Sequence, residues 1–266
     1  MTDIYKAARE FHEMDELAER DSAVHLLHPL VKLIVTIIYI LITVSFHKYD
    51  LYGLTVMILY PVIMLFLSDV SVRICFYKLR FVLPLICAVG IINPFFDRSI
   101  LLHIGGLTIT GGVLSMFTLM LKGVLCLMAS FILAATTSID LLCGALRKIH
   151  VPGIIVTLIL LTYRYVSVMM EEVSVMTTAY RLRAPGQNGI HVSAWGSFLG
   201  QLLLRSMDKA EELYISMQLR GFNHEFYYAD SKTLKFSDIL FCTVAVVVFV
   251  VCRLINIPVL LGGLFV

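Results

Sequence analysis

Charge is what this chain has least of. Asp, Glu, Lys and Arg make up only 15% of its 266 residues, against 59% hydrophobic, where soluble domains carry about 25% charged residues. The runs 51–68, 81–96, 99–121 and 123–139 contain none of the four. That deficit excludes a soluble domain and leaves a polytopic membrane protein. Close cysteine pairs are also missing: Cys75, Cys87, Cys126, Cys143, Cys242 and Cys252 stand apart, mostly in apolar runs where cysteine acts as a small hydrophobe. No disulfide framework and no zinc site is expected. The chain has no Gly-rich loop ending in Gly-Lys-Ser/Thr, so it does not bind ATP in that way and its energy must come from partners. A net charge of +2 is too small to argue for nucleic acid. The first 28 residues carry acids from Asp3 to Asp21 and no short apolar core, so no cleaved signal peptide is expected and the N-terminus is read as inside.

What charge there is sets orientation, because cytoplasmic loops retain Lys and Arg. Residues 1–32 hold four (Lys6, Arg9, Arg20, Lys32), the link near 48 one, the link 69–80 three, the link 97–110 one, and 140–235 ten. The alternation reads in, out, in, out, in. It predicts spans at about 30–47, 50–68, 80–96, 111–136 and 236–256, with a short interfacial tail after Pro258. A further span at 149–163 would strand seven cations outside, from Arg181 to Lys235. Residues 152–183 are therefore read as one long helix whose apolar start packs on or dips into the membrane. The expected fold is all-α, a polytopic membrane helical bundle of about five spans with a cytoplasmic insertion of amphipathic helices. Its parts are a cytoplasmic segment 1–29, a four-span bundle 30–136, a cytoplasmic helical region 137–235, and a last span and tail 236–266.

The insertion reads as three helices. Thr137 followed by Asp140 is a capping-box signature for a short helix through Ile149, closed by Val151-Pro152-Gly153. The second helix sets Met169, Val173, Met176 and Tyr180 on one face, opposite Glu171, Ser174 and Arg181. A third begins after Ser193 and runs to Arg220, with Leu199, Leu202, Met207, Ala210, Leu213, Tyr214 and Met217 apolar. Gly196 and Gly200 would let it cross the second helix closely, since small residues four apart reduce the distance between backbones. In a chain with 16 glycines such a pair also arises by chance.

Two of these helices end alike. Leu182-Arg183-Ala184 is stopped by Pro185-Gly186, and Leu219-Arg220 by Gly221, residues that halt a helix and free its last turn. A cation at a helix C-terminus is favoured by the macrodipole by about 0.3–1 kcal/mol, so one such arginine has no special meaning. Two in equivalent places on consecutive helices point to a device that grips a partner.

The block Ser197 to Phe222, ending Gln218-Leu219-Arg220-Gly221-Phe222, resembles the signature of the transmembrane T component of energy-coupling factor (ECF) transporters, the cobalt-type permease branch included. Ala179-Tyr-Arg-Leu-Arg-Ala-Pro-Gly186 is similar to that family's first arginine motif. His28-Pro29-Leu30-Val31-Lys32-Leu33 resembles its lead into the first span, and Asp140-Leu141-Leu142 with Ala145-Leu146 its short helix before Val151-Pro152. The resemblance implies coupling helices whose Arg183 and Arg220, flanked by Leu182, Ala184, Leu219 and Gly221, dock into two ATP-binding-cassette ATPases. It implies a membrane part that holds a separate substrate-binding S component, in a bacterial plasma membrane. It also implies uptake of a vitamin or a transition-metal ion, with the form Leu-Arg-Ala-Pro-Gly and the histidine-bearing N-terminus favouring the cobalt-type branch. No cofactor, metal site or catalytic residue belongs to such a subunit.

Two rivals fit the residues less well. An intramembrane enzyme would use Glu171-Glu172, but Met176 stands where an arginine would follow, and the eight histidines are scattered. Only His25 and His28 lie close, and they are read as solvated surface. A self-sufficient secondary carrier would place carboxylates deep in its spans, and the interiors of these spans have none. Lys122 is the exception to their neutrality, and it is read as satisfied by neighbouring backbone or by Asn93 beside Pro94.

Overall fold

The computed structural model describes residues 16, 18, 20, 22–69, 72–96, 100–104, 107–186, 189–222 and 234–254. The predicted tail after Pro258 lies outside them. After one helical turn at Ala23–Leu26, His28 is extended and its Nδ1 accepts a bond from the Leu30 amide at 3.1 Å. Pro29, whose missing N–H is an orphan at a helix start anyway, opens α1 (Pro29–Ser45). The predicted span 50–68 is two helices, α2 (Leu51–Met57) and α3 (Leu59–Leu67). Pro61 is the cause, because it has no N–H for the Met57 carbonyl four residues back. Tyr39 Oη on α1 donates to that carbonyl at 3.0 Å. There follow α4 (Val72–Leu79), α5 (Leu83–Phe96, with Pro94 inside it) and α6 (Gly111–Thr136). Between α5 and α6, β1 (Ile100–Ile104) and β2 (Leu107–Thr110) form an antiparallel hairpin pairing His103 with Thr108 and Ile104 with Leu107. The hairpin falls in the link 97–110, for which the sequence predicts no element, and is an addition to an otherwise helical membrane bundle.

The chain divides into two compact units. In the first, Leu17–Ser138 with Lys232–Val266, α6 packs against α1 and α5, and α10 (Phe236–Leu254) against α1. Its centre is aromatic: Tyr39 lies 4.6 Å from Tyr60 and 5.3 Å from Phe249, ring centroid to ring centroid, with Phe249 edge-on to Tyr60 at 5.0 Å. Such edge-on pairs set the negative ring face against a positive edge. Beside it, Met64, Leu65, Cys75, Met128, Ile132 and Ala135 form a second buried cluster. α5 and α6 come close where both lack bulk. A Cβ on Gly123 would sit 2.9 Å from Ile86, and one on Gly90 3.0 Å from Met120.

Cations within this unit close helix ends. Lys32, 3% exposed on α1, donates to Thr136 O at 2.7 Å and Thr137 Oγ1 at 3.4 Å, where α6 ends. Lys122, halfway along α6, donates to Val44 O at 3.1 Å and to Phe46 O, where α1 ends. Arg253 joins there, its Nη2 3.2 Å from Ser45 O and its guanidinium 4.9 Å from the Phe46 ring centroid. Backbone is thus the partner of Lys122, while Asn93 Nδ2 donates to Ser115 Oγ at 3.3 Å. His25 and His28 correct the sequence reading: both are buried, His25 with Nδ1 2.7 Å from Ser22 Oγ.

The second unit, Ile139–Ser231 with Met1–Glu16, holds α7 (Ile139–Lys148), α8 (Gly153–Arg183) and α9 (Trp195–Leu219). α7 and α8 share a small core of Cys143, Val156 and Leu160. Burial first, and Asp140 second, push the Cys143 thiol up from its ordinary pKa, which keeps it an unreactive packing group. Asp140 faces Arg164 at 3.6 Å. α8 is the single long helix read from 152–183. By length and composition it is also apolar enough to cross a membrane, as are α6 and α10.

Candidate functional site

α8 and α9 meet through polar and apolar contacts. Arg205 Nη1 donates to Glu172 Oε2 at 2.6 Å. A cleft of about 400 Å³ between the helices is lined by Leu161, Tyr165 and Met169 of α8 and by Leu213 and Met217 of α9, with Phe222 beyond its end. Of the apolar faces read from the sequence, Met169 on α8 and Leu213 and Met217 on α9 share this cleft, while Val173, Met176 and Tyr180 do not line it. Leu199 and Met207 do not join them and remain exposed. The close crossing expected at Gly196 and Gly200 is also not there: a Cβ on either would meet nothing within 4 Å. Small residues permit approach without choosing the surface approached, and α9 meets α8 along the face of Arg205, Leu213 and Met217.

The arginine ends are built by two kinds of stop. Arg183 is the last residue of α8, where the Ala184 amide bonds to Tyr180 O at 3.0 Å. The chain then turns through Pro185 and Gly186, whose φ is +99°. Tyr180 also ties the return strand of chain, its Oη accepting from the His191 amide at 3.3 Å. At the other end the Phe222 amide bonds to Met217 O at 3.0 Å and the Gly221 amide to Gln218 O at 2.9 Å. These are the two bonds of a Schellman cap, and Gly221 takes its required left-handed φ of +76°. Phe222 comes back beside Met217 in the cleft, the apolar contact that accompanies such a cap.

Both caps project their arginines outward. Leu182 is 78% and Leu219 85% exposed, and Arg183 and Arg220 are exposed with them. Among the described residues neither guanidinium has a hydrogen bond or ion pair. From the Glu172–Arg205 contact, Arg183 lies about 16 Å along one helix and Arg220 about 22 Å along the other, so the two tips are separate features at far ends of a helical hairpin. Lys209, on the same helix as Arg220, is held above its ordinary pKa by its bond to Glu212.

The sequence reading places Lys32 in the motif that leads into the first span but assigns it no partner. The signal was available, since it is the one charge in α1 and a charge in a spanning helix needs a partner. Glu172, the acid an intramembrane enzyme would need, has its carboxylate taken by Arg205.

Apolar helices of this number and length define a multi-pass membrane protein. Residues 20–228 match the family model described as CbiQ, cobalt transport protein, and the chain belongs to that family, as an EcfT/CbiQ-like transmembrane component of ECF transporters. It is 26% identical over 239 residues to an energy-coupling factor transporter transmembrane protein of Leuconostoc gelidum subsp. gasicomitatum, covering 82% of this chain and 87% of the relative. It is 37% identical over 97 residues to the cobalt transport protein CbiQ of Rhodobacter capsulatus, covering 35% and 38%. It is 26% identical over 111 residues to the nickel permease LarQ of Lactiplantibacillus plantarum, covering 42% and 40%. The chain spans about half or less of the length of the curated relatives it matches over shorter stretches. These names point to a transport subunit and not to a catalytic enzyme.

Proposed function

We propose that this chain is the energy-coupling transmembrane subunit of an ECF-type importer. Arg183 and Arg220, with Leu182, Ala184, Leu219 and Gly221 around them, each dock one of two cytoplasmic ATP-binding-cassette ATPases. The membrane bundle, 30–136 with 236–266, holds a separate substrate-binding component. The observation that carries this reading is the pair of exposed arginines at far ends of one hairpin, each fixed by a helix stop, a spacing suited to two partners. The substrate is read as a transition-metal ion, supported by the family's cobalt name and by relatives named for cobalt and nickel. Affinity purification of the chain from its native membrane should bring down two ATPase subunits and one small membrane protein. Purification alone, with uptake into proteoliposomes that needs no ATP, would establish a secondary carrier instead.

In this reading α8 does not cross the membrane, and five spans leave the N-terminus and 137–235 inside. Its basis is the ten cations of 140–235. Because α8 has the length of a span, the side on which Ser193 lies decides the matter. A single cysteine placed at Ser193 in a Cys-free background should resist an impermeant thiol reagent in intact cells and react after permeabilisation. Labelling from outside would overturn both the topology and the docking role.

A further inference from the structure

The motif His28-Pro29-Leu30-Val31-Lys32 leads into α1, and its lysine does not face solvent. Lys32 reaches across to the last turn of α6, where the final carbonyls of a helix have no amide of their own. It takes the Thr136 carbonyl at 2.7 Å and the Thr137 hydroxyl at 3.4 Å. Both threonines are buried, and Thr136 Oγ1 donates back to Ile132 O at 2.8 Å, so the whole end of α6 is pinned. The place is specific. One residue later, between Ser138 and Ile139, the chain passes from one compact unit to the other and begins α7.

We propose that Lys32 is a positioning residue that anchors the junction between α6 and α7, holding the end of α6 so that displacement of the helices bearing Arg183 and Arg220 is transmitted to the membrane bundle. The second half of this statement rests on the coupling function proposed above, and the first half does not. A charged bond from a buried ammonium to a carbonyl is strong where water is excluded. Without it, the last turn of α6 has an unfilled acceptor and frays. A frayed junction absorbs motion in local unwinding.

The test compares Lys32→Met, Lys32→Arg and Lys122→Met in the full-length chain, purified with whatever subunits accompany it. Lys122→Met removes the equivalent lysine bond from the opposite end of the α1/α6 pair, and so controls for general loosening of the bundle. Hydrogen exchange of the amides from 134 to 141 is expected to be about tenfold faster in Lys32→Met, near wild type in Lys32→Arg, and unchanged in Lys122→Met. Uptake should fall about tenfold or more in Lys32→Met while ATP hydrolysis by the accompanying ATPases persists, and Lys32→Arg should restore uptake. Wild-type exchange at the junction in Lys32→Met overturns the anchor. Equal acceleration there by Lys122→Met overturns it too, by showing that any weakening of the pair has the same effect. Faster exchange with normal uptake overturns the transmission. If no ATPase accompanies the wild-type chain, the coupling function itself fails, and the exchange comparison still decides the anchor.

Discussion

Alanine at both Arg183 and Arg220 is expected to abolish substrate uptake and to leave the ATPases unattached to the membrane subunit. A guanidinium presents five donors in a planar fork, which a groove of carbonyls and carboxylates accepts and a lysine cannot reproduce. Truncating one such docked charge costs about 2–5 kcal/mol, much of it from acceptors left buried and unpaired on the other side. At the lower figure each single variant loses about 30-fold in affinity, so singles should retain partial uptake and the double variant none. Copurified ATPase, measured alongside uptake in cells, reads both effects. Full uptake by the double variant would remove the docking role from these residues. Lysine at either site should fall between arginine and alanine, because it keeps the charge and loses the fork.

The largest effect on folding is expected at Tyr39. It is completely buried, touches Tyr60 and Phe249, and closes the carbonyl that Pro61 leaves without an amide at the break between α2 and α3. Tyr39→Ala removes the ring and leaves a cavity at the junction of α1, α3 and α10, at a cost of about 3–5 kcal/mol. Tyr39→Phe keeps the ring and forfeits the hydroxyl with its bond to Met57 O, costing about 1–3 kcal/mol for the unpaired carbonyl. Thermal unfolding in detergent should rank wild type above Tyr39→Phe and Tyr39→Phe well above Tyr39→Ala. A midpoint for Tyr39→Ala equal to wild type would mean that the aromatic cluster does not hold the bundle together.

How legible these features are in the sequence depends on whether their cause is local. α6 reads from its uncharged runs and flanking Gly111 and Thr136, and its observed limits are those expected. The ends of α8 and α9 read from Pro185-Gly186 and Gly221, because stop signals act on their own turn of chain. The break at Ile58 was equally local, and Pro61 announced it, but an apolar run invites a single helix. The hairpin at 100–110 sits in a link judged by charge alone; Leu107-Thr108-Ile109-Thr110 alternates, but over only four residues, and Ile100–Ile104 is apolar except for His103. What is not local stayed hidden. Nothing near Gly196 and Gly200 says which helix they face, nothing near His25 says that it is covered, and the partners of Lys32 and Lys122 lie about a hundred and about eighty residues away.

The two lysines between them bear on how the bundle is able to move. α1 and α6 run antiparallel, and each carries an ammonium group that occupies the carbonyl end of the other. Sliding one helix past its neighbour by a single turn, about 5.4 Å, would pull both ammonium groups off their acceptors at once. Shear along this pair is thereby closed as a route, and rigid rotation of the two as one body is left open.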